Sequence, residues 1–380
     1  MDIVKYVSFE QAFESIPVGK LKLQANAYLV SGQFPVVDQG QSQISGYTND
    51  ENLVIKNCLP FIVFGDHTRA VKFVDFPFVV GADGVRLFQA KKGFESEFLY
   101  FFLKNAPIPN DGYGRHSKHL ENLEVPLCLP KLQSTIVARL KSQLTTLEQA
   151  RNAAQAQLAE ATFLATRFRE QMLSKLDGID RVPLGRLLTG IEAGKSFQTT
   201  DRLAIDSELG VLKVSAVSWG QFQPQEAKAI EGNYLPQDHH RVYKGDLLIS
   251  RANTVDLVGA VVRIDQNYPN RLLSDKTLRL LIDETQVLPD FLLHILRMPE
   301  ARKHIEANAT GTSDSMRNIS QETIRSIPVV LPGIEVQRKI AEQMEQVDTA
   351  LNELSQAVKV QLRDINLLPA KILTKAFDSL

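Results

Sequence analysis

Few stretches of this 380-residue chain hold side chains arranged for covalent chemistry. Gly194-Lys195-Ser196 has the ending of a phosphate-binding loop, in which glycine-rich backbone cradles phosphates and the lysine reaches the terminal ones. That loop needs glycine at position 189, which is Thr, and the nearest glycine, Gly190, is one residue short. The preceding Leu187-Leu188-Thr189 is also a thin strand, so a nucleotide site is rejected. Dinucleotide, zinc-protease, nucleophile-elbow and paired-cysteine patterns are absent. His239 and His240 are adjacent, and adjacent side chains diverge on a helix and face opposite ways on a strand, so they are poor joint ligands. Two cysteines, Cys58 and Cys128, make neither a disulfide framework nor a zinc site. No catalytic constellation remains, and neither a metal nor a resident cofactor is expected.

Recognition chemistry is better represented. Arginine reads guanine and phosphate, and asparagine and glutamine read adenine, through paired hydrogen bonds. Asp66-His67-Thr68-Arg69 follows an apolar run at 61–64, and Arg251-Ala252-Asn253-Thr254 follows its counterpart at 247–250. Both put an arginine and small hydrogen-bonding residues just past a buried strand. The loop holding Gln39, Gln41, Ser42 and Gln43, and the segment holding Ser218, Trp219 and Gln221, carry suitable groups too. Arg115 and Lys118 precede one closing strand and Arg317 precedes the other, each among small polar residues suited to a phosphate contact. Lys195, freed from the nucleotide reading, joins this set. Each loop read alone is equally an ordinary solvated turn, and Trp219 could as easily be core.

The elements that must position these loops occur twice. Val125-Pro126-Leu127-Cys128-Leu129-Pro130 and Ile327-Pro328-Val329-Val330-Leu331-Pro332 are each a short strand, a proline stop and then about forty residues of helical pattern. Alternating steps of four and three give Leu140, Leu144, Leu147, Arg151, Ala154, Leu158, Ala161, Ala165, Phe168 and Met172 in the first copy. The second copy gives Ile340, Met344, Val347, Leu351, Leu354, Val358, Gln361, Ile365, Leu368 and Ile372. One residue in each set is polar, so a 3.5-residue seam is sustained and the helices are expected to pair as an antiparallel coiled coil. Each position sits 200 residues after its twin (340 − 140). A helix from 132 to 174 would be roughly 65 Å long at ~1.5 Å per residue. Asp177-Gly178 should stop the first helix, and Pro369 should kink or fray the second. Arg151, matched to Leu351, has no explanation at this level.

Residues 1–131 and 179–332 read as two mixed α/β domains, with spacer helices at 132–178 and 333–380. Short β-branched and aromatic runs bounded by Gly, Asp and Pro mark strands in both. Pro17-Val18-Gly19-Lys20-Leu21 is echoed by Pro183-Leu184-Gly185-Arg186-Leu187, and the Phe98 helix by Phe291–Leu296. The frames match while the middles differ in length. The fold class is α+β with a pseudo-twofold internal repeat. With 43 basic and 44 acidic residues, the chain lacks the basic excess of a simple nucleic-acid binder. No run approaches the ~20 apolar residues that span a bilayer, and no signal peptide is visible, so a cytoplasmic protein away from membranes is expected.

This layout resembles the specificity subunit of Type I restriction–modification enzymes. Leu331-Pro332-Gly333-Ile334-Glu335-Val336-Gln337-Arg338-Lys339-Ile340 is similar to that family's L-P-P-x-x-E-Q-x-x-I. Phe61-Ile62-Val63-Phe64-Gly65-Asp66-His67-Thr68-Arg69, with Val80-Gly81-Ala82-Asp83-Gly84 behind it, is the other match. The first copy departs from the pattern: after Pro130 it reads Lys131-Leu132-Gln133-Ser134-Thr135-Ile136, without the glutamine-basic pair. The resemblance implies two target recognition domains, each reading one half of a split sequence in double-stranded DNA, with the coiled coil setting the gap. It implies two methyltransferase subunits that methylate adenine with S-adenosylmethionine, motor-nuclease subunits, and no active site in this chain. Arg69→Ala is then expected to relax one half-site only. The competing reading is an adaptor that presents two protein-binding modules on a coiled coil, with apolar patches at the domain tips.

Overall fold

The computed structural model describes residues 5–19, 22–112, 114–218, 220–232, 234–313 and 316–380. Contacts divide the chain into two units, residues 1–158 with 356–380 and residues 159–355. Two helices of equal length, Pro130–Ser174 and Ile334–Asp378, each contribute to both units.

In the first unit, strand Lys5–Ser8 pairs antiparallel with Glu124–Leu127, placing Val7 opposite Val125. A four-stranded antiparallel sheet follows, in the order Phe13–Ile16, Val85–Ala90, Phe61–Gly65, Val71–Val74. Phe61–Gly65 is buried throughout, so its uninterrupted apolar run fits a strand covered on both faces. On one side lies the helix Ser96–Asn105, with Phe98 and Leu99 fully buried among Ile62, Phe64 and Phe88. On the other, Val63, Leu87 and Phe61 pack with Val37, Phe78 and Val80 of a second, mixed sheet.

The second unit repeats the frame. Arg181–Pro183 pairs with Pro328–Val330, and the sheet order Leu188–Ala193, Thr277–Ile282, Leu247–Ser250, Val261–Arg263 copies that of the first unit. Helix Pro289–Leu296 stands where Ser96–Asn105 stands, with Phe291 in the place of Phe98. The extra length goes into an added helix, Pro299–Asn308, and a three-stranded ribbon of Ala252–Asn253, Met316–Asn318 and Thr310–Ser313.

One expected echo is misplaced. The strand that meets the closing strand in the first unit is Lys5–Ser8, so the partner of the 184–187 segment begins at Phe9, and Pro183 matches Ser8, not Pro17. Lys20 and Leu21 lie outside the described residues.

The helices join each unit antiparallel. In the first, Ile136, Val137 and Leu140 share a core with Leu373, Ala376 and Phe377. In the second, Met172 and Leu176 share one with Ile340, Ala341 and Met344. Every seam position is buried or half-buried except Arg151, Gln361 and Leu368. Arg151 turns to solvent and pairs with Glu148 at 3.6 Å, so the seam buries no arginine. Gly178, at φ +88°, follows the end of the first helix as expected. Pro369 does not end the second, which continues to Asp378 because Leu373, Ala376 and Phe377 beyond it are held in the first unit's core. No helix among the described residues is long and apolar enough to cross a membrane.

The true register of the repeat is set by two buried glutamines. Gln133 Nε2 donates to the carbonyls of Gly93 (2.9 Å) and Cys128 (2.8 Å), and its Oε1 accepts from the Glu95 amide (2.8 Å). Gln337 Nε2 donates to Gln286 (3.0 Å) and Pro332 (2.8 Å), and its Oε1 accepts from the Leu288 amide (2.8 Å). The equivalent of Ile340 is therefore Ile136, one helical turn before Leu140, and the 200-residue spacing is wrong by that turn. The helix bounds agree, Pro130 matching Ile334 and Ser174 matching Asp378.

Candidate nucleic-acid interface

Three loops far apart in the first unit's sequence are tied into one surface. Asp66 is the knot. Its amide donates to Gly84 O at 2.7 Å, and its carbonyl accepts from the His116 amide and from His116 Nδ1, each at 2.8 Å. The Asp111 amide donates to His116 Nε2, so the imidazole proton belongs on Nδ1. The Asp66 carboxylate, nearly buried, accepts from the Ser117 amide at 2.8 Å and faces Arg86 at 3.4 Å. Burial pushes this carboxyl up, but the Ser117 bonds and Arg86 together hold it below the usual carboxylate range.

The glutamine loop is locked to the same place. Gln39 Oε1 accepts from the His67 amide at 3.2 Å, and Gln39 O accepts from the Thr68 hydroxyl. Asp38 Oδ1 accepts from the Gly40 amide at 2.8 Å and from Ser45 Oγ at 2.5 Å. Buried Lys72 donates to Asp38 O at 2.7 Å and lies 3.7 Å from Oδ1. Burial lowers the Lys72 pKa, and it raises that of Asp38 less than the bonds from Ser45, Gly40 and Lys72 depress it. Close approach needs glycine: a Cβ on Gly84 (φ +84°) would stand 2.7 Å from Gln39 Oε1 and 2.9 Å from His67 Cδ2.

On this frame Gln41, Ser42, His67, Arg69, Arg115 and Lys118 are exposed. Their charges differ in availability. Arg69, itself at φ +59°, donates to Ile108 O at 3.0 Å, and Lys118 pairs with Asp111 at 2.7 Å. Bonds from Lys118 and His119 pull the Asp111 carboxyl down to about 2. The Arg115 guanidinium has no hydrogen bond or ion pair among the described residues.

In the second unit the knot recurs with a different side chain. The Arg251 amide donates to Lys276 O and its carbonyl accepts from the Ile319 amide, each at 2.9 Å. Arg251 thus corresponds to Asp66, so the two loops are paired as expected but their arginines, Arg69 and Arg251, do not occupy equivalent positions. Its guanidinium is half-buried and has no partner among the described residues. Asn253 lies opposite Arg317 on the ribbon, and its Nδ2 donates to Ser218 Oγ at 2.7 Å. Its Oδ1 accepts from the Thr254 amide at 2.8 Å. Ser218 is buried and donates to Val214 O, so it supports Asn253 from beneath and is not a surface group. The structure thus gathers Ser218, Arg251, Asn253, Thr254 and Arg317. Lys195 is exposed and packs elsewhere, 5.8 Å over the Tyr234 ring. Trp219 lies outside the described residues. Among the described residues no group of His, Cys, Asp or Glu could hold a metal ion.

Sequence reasoning missed Asp66, His116, Asp38 and Lys72 as supports. The signal for Asp66 was its place directly after a fully apolar strand, where an acid enters the interior.

Comparison with known proteins agrees with this architecture. Residues 225–363 match the family model of the Type I restriction modification DNA specificity domain. Over that segment the chain is similar to Type I specificity subunits. The EcoR124I/EcoR124II specificity subunit of Escherichia coli is 21 % identical over 380 residues, covering 92 % of this chain and 91 % of that one. The Escherichia coli EcoEI specificity subunit is 27 % identical over 184 residues, 47 % of this chain but 31 % of that relative's length. The fold is shared with a chain in a structure of a type I R-M system (TM-score 0.68, 17 % identity, 99 % and 98 % coverage). It is shared also with the HsdS subunit from Thermoanaerobacter tengcongensis (TM-score 0.52, 17 % identity, 99 % and 97 % coverage).

Proposed function

We propose that this chain is the non-catalytic DNA-specificity subunit of a Type I restriction–modification enzyme, each unit reading one half of a bipartite target in double-stranded DNA. The observation that carries the reading is the shared knot. In both units a residue just past a buried strand ties the flagged loops to the segment before the closing strand, through the same two backbone bonds. A rigid frame with interchangeable side chains suits a fold that must read different sequences in its two halves. Arg115 in the first unit and Arg251 in the second are the cations best placed to meet guanine or phosphate. Asn253 keeps one amide hydrogen and one lone pair for a base edge.

The partners follow from the long helices. Phe163 and Leu164 are 63 % and 58 % exposed, and their equivalents Leu367 and Leu368 are 55 % and 38 % exposed. An apolar groove of about 710 Å³ beside the first pair is lined by Leu164, Phe168, Val347 and Leu351. Two equivalent apolar pairs suit two methyltransferase subunits, one on each. S-adenosylmethionine would be held by those subunits, and motor-nuclease subunits would complete the enzyme. Charge balance in this chain is compatible with partners that clasp the DNA backbone.

The test is selection of random-sequence duplex DNA by the chain bound to its methyltransferase. The expected product is a split motif. Arg115→Ala should relax one half and Arg251→Ala the other, each costing about 1–3 kcal/mol of discrimination. Enrichment of no sequence would contradict the reading.

A further inference from the structure

The two units are alike in frame but opposite in chemistry at one place. In the first, the helix Ser96–Asn105 meets the long helices through Phe101, Leu144 and Leu373, which share one apolar core. Phe101 and Leu373 are 5 % and 4 % exposed. Counted from the glutamine clamps, the equivalent residues of the second unit are His294, Asp348 and Arg169. All three apolar positions have become titratable. Asp348 Oδ1 accepts from Arg169 Nη2, and Oδ2 lies 3.8 Å from Arg297 Nη1 and 3.9 Å from His294 Nδ1. His294 is 3 % exposed, and Arg297 also donates to Val261 O at 3.1 Å. The cluster is complete only when Asp348 and Arg169, from different long helices, meet the helix Pro289–Leu296.

This arrangement is sensitive to which helix segment arrives. A segment carrying Leu373 in the place of Arg169 would leave Asp348 without its closest cation. A segment carrying Arg169 in the place of Leu373 would bury a guanidinium against Phe101 and Leu144. A buried charge without a partner is strongly unfavourable, whereas a whole cluster replaced by well-packed apolar groups is often tolerated. The seam itself cannot discriminate, because both segments offer apolar residues at matching steps. We propose that Arg169, His294 and Asp348, set against Phe101, Leu144 and Leu373, form a pairing code that makes each unit accept its own helix segment and refuse the other's, within one chain or between two copies.

The test uses the full chain. Arg169→Leu, His294→Phe and Asp348→Leu together copy the first unit's residues into the second. Wild type and the triple variant are unfolded in urea, refolded at one concentration and sized by light scattering. The code predicts at least about a tenfold rise in the ratio of intermolecularly paired to monomeric chains, the factor that corresponds to 1.4 kcal/mol of lost discrimination. An unchanged ratio overturns it. Should the triple variant not refold, the reverse set decides. Leu373→Arg alone should lower the unfolding midpoint, and adding Phe101→His and Leu144→Asp should recover most of the loss. No recovery, or no loss from Leu373→Arg alone, overturns the proposal.

Discussion

Replacing either clamp glutamine by methionine keeps the side chain's length and removes its amide. In Gln133→Met three groups lose their partner: the carbonyls of Gly93 and Cys128 and the amide of Glu95. Gln133 and Gln337 are 0 % and 1 % exposed, so the lost bonds lie in the interior. An unsatisfied buried group costs about 1–3 kcal/mol. Gly93 lies at the surface and can take up water, so the expected loss is about 3–5 kcal/mol rather than the full sum. Gln337→Met, which strands Gln286 O, Pro332 O and the Leu288 amide, should cost a similar amount. Gln133→Glu should be worse than Gln133→Met at neutral pH, because it turns a donor into an anion facing two carbonyl oxygens. Urea unfolding followed by circular dichroism gives the answer, as a shifted midpoint at unchanged slope. A loss below about 1 kcal/mol at both positions, or at one alone, would refute the claim that these residues are equivalent clamps.

Other perturbations test the rest of the frame. Lys72→Met should destabilise the first unit by about 1–3 kcal/mol by removing the buried cation beside half-buried Asp38 and leaving the Asp38 carbonyl without its donor, and unfolding of the variant measures this. Gly84→Ala should cost about 1–2 kcal/mol through its positive φ and should disorder the Gln39 contact, read as faster amide exchange at His67. Burial, against the opposing pull of Asp348, holds the His294 pKa down at about 4, from an unfolded value of 6.5. The unfolded chain therefore binds the proton more readily between these values, and stability should fall as pH drops from 6.5 toward 4. In His294→Phe that limb should flatten. The Asp66 and Asp38 carboxyls are depressed, so their contribution is present above about pH 4 and is lost as pH falls through their lower folded values; Asp66→Asn should weaken that acid limb.

Much of the frame was legible in the sequence because apolar periodicity is a direct record of burial. The long helices, the strand–helix repeats and the answering strands at 61–64 and 247–250 all follow from it. The repeat register was not, because a four-three seam looks nearly the same after a shift of one turn, and only the buried glutamines break that degeneracy. Gln133 was hidden by the absence of a basic neighbour, although the hydrogen-bonding role needs the amide alone. The polar loops were found by composition, yet their internal roles were invisible. Arg69 and Lys118 are paired within the chain, Ser218 is a support, and Asp66, which resembles an ordinary turn acid, joins three loops. Hydrogen bonds between residues some thirty to fifty positions apart leave no trace in local pattern.

The central claim is that this chain selects a DNA sequence for its partners. The most direct test is co-expression with an adenine methyltransferase subunit that binds it, followed by methylation mapping across the host genome. The account predicts one bipartite methylated motif with a fixed gap, and loss of definition in a single half when Arg251 is replaced by Ala. A folded complex that leaves no methylated motif, or one whose motif is unchanged in both Arg115→Ala and Arg251→Ala chains, would contradict it.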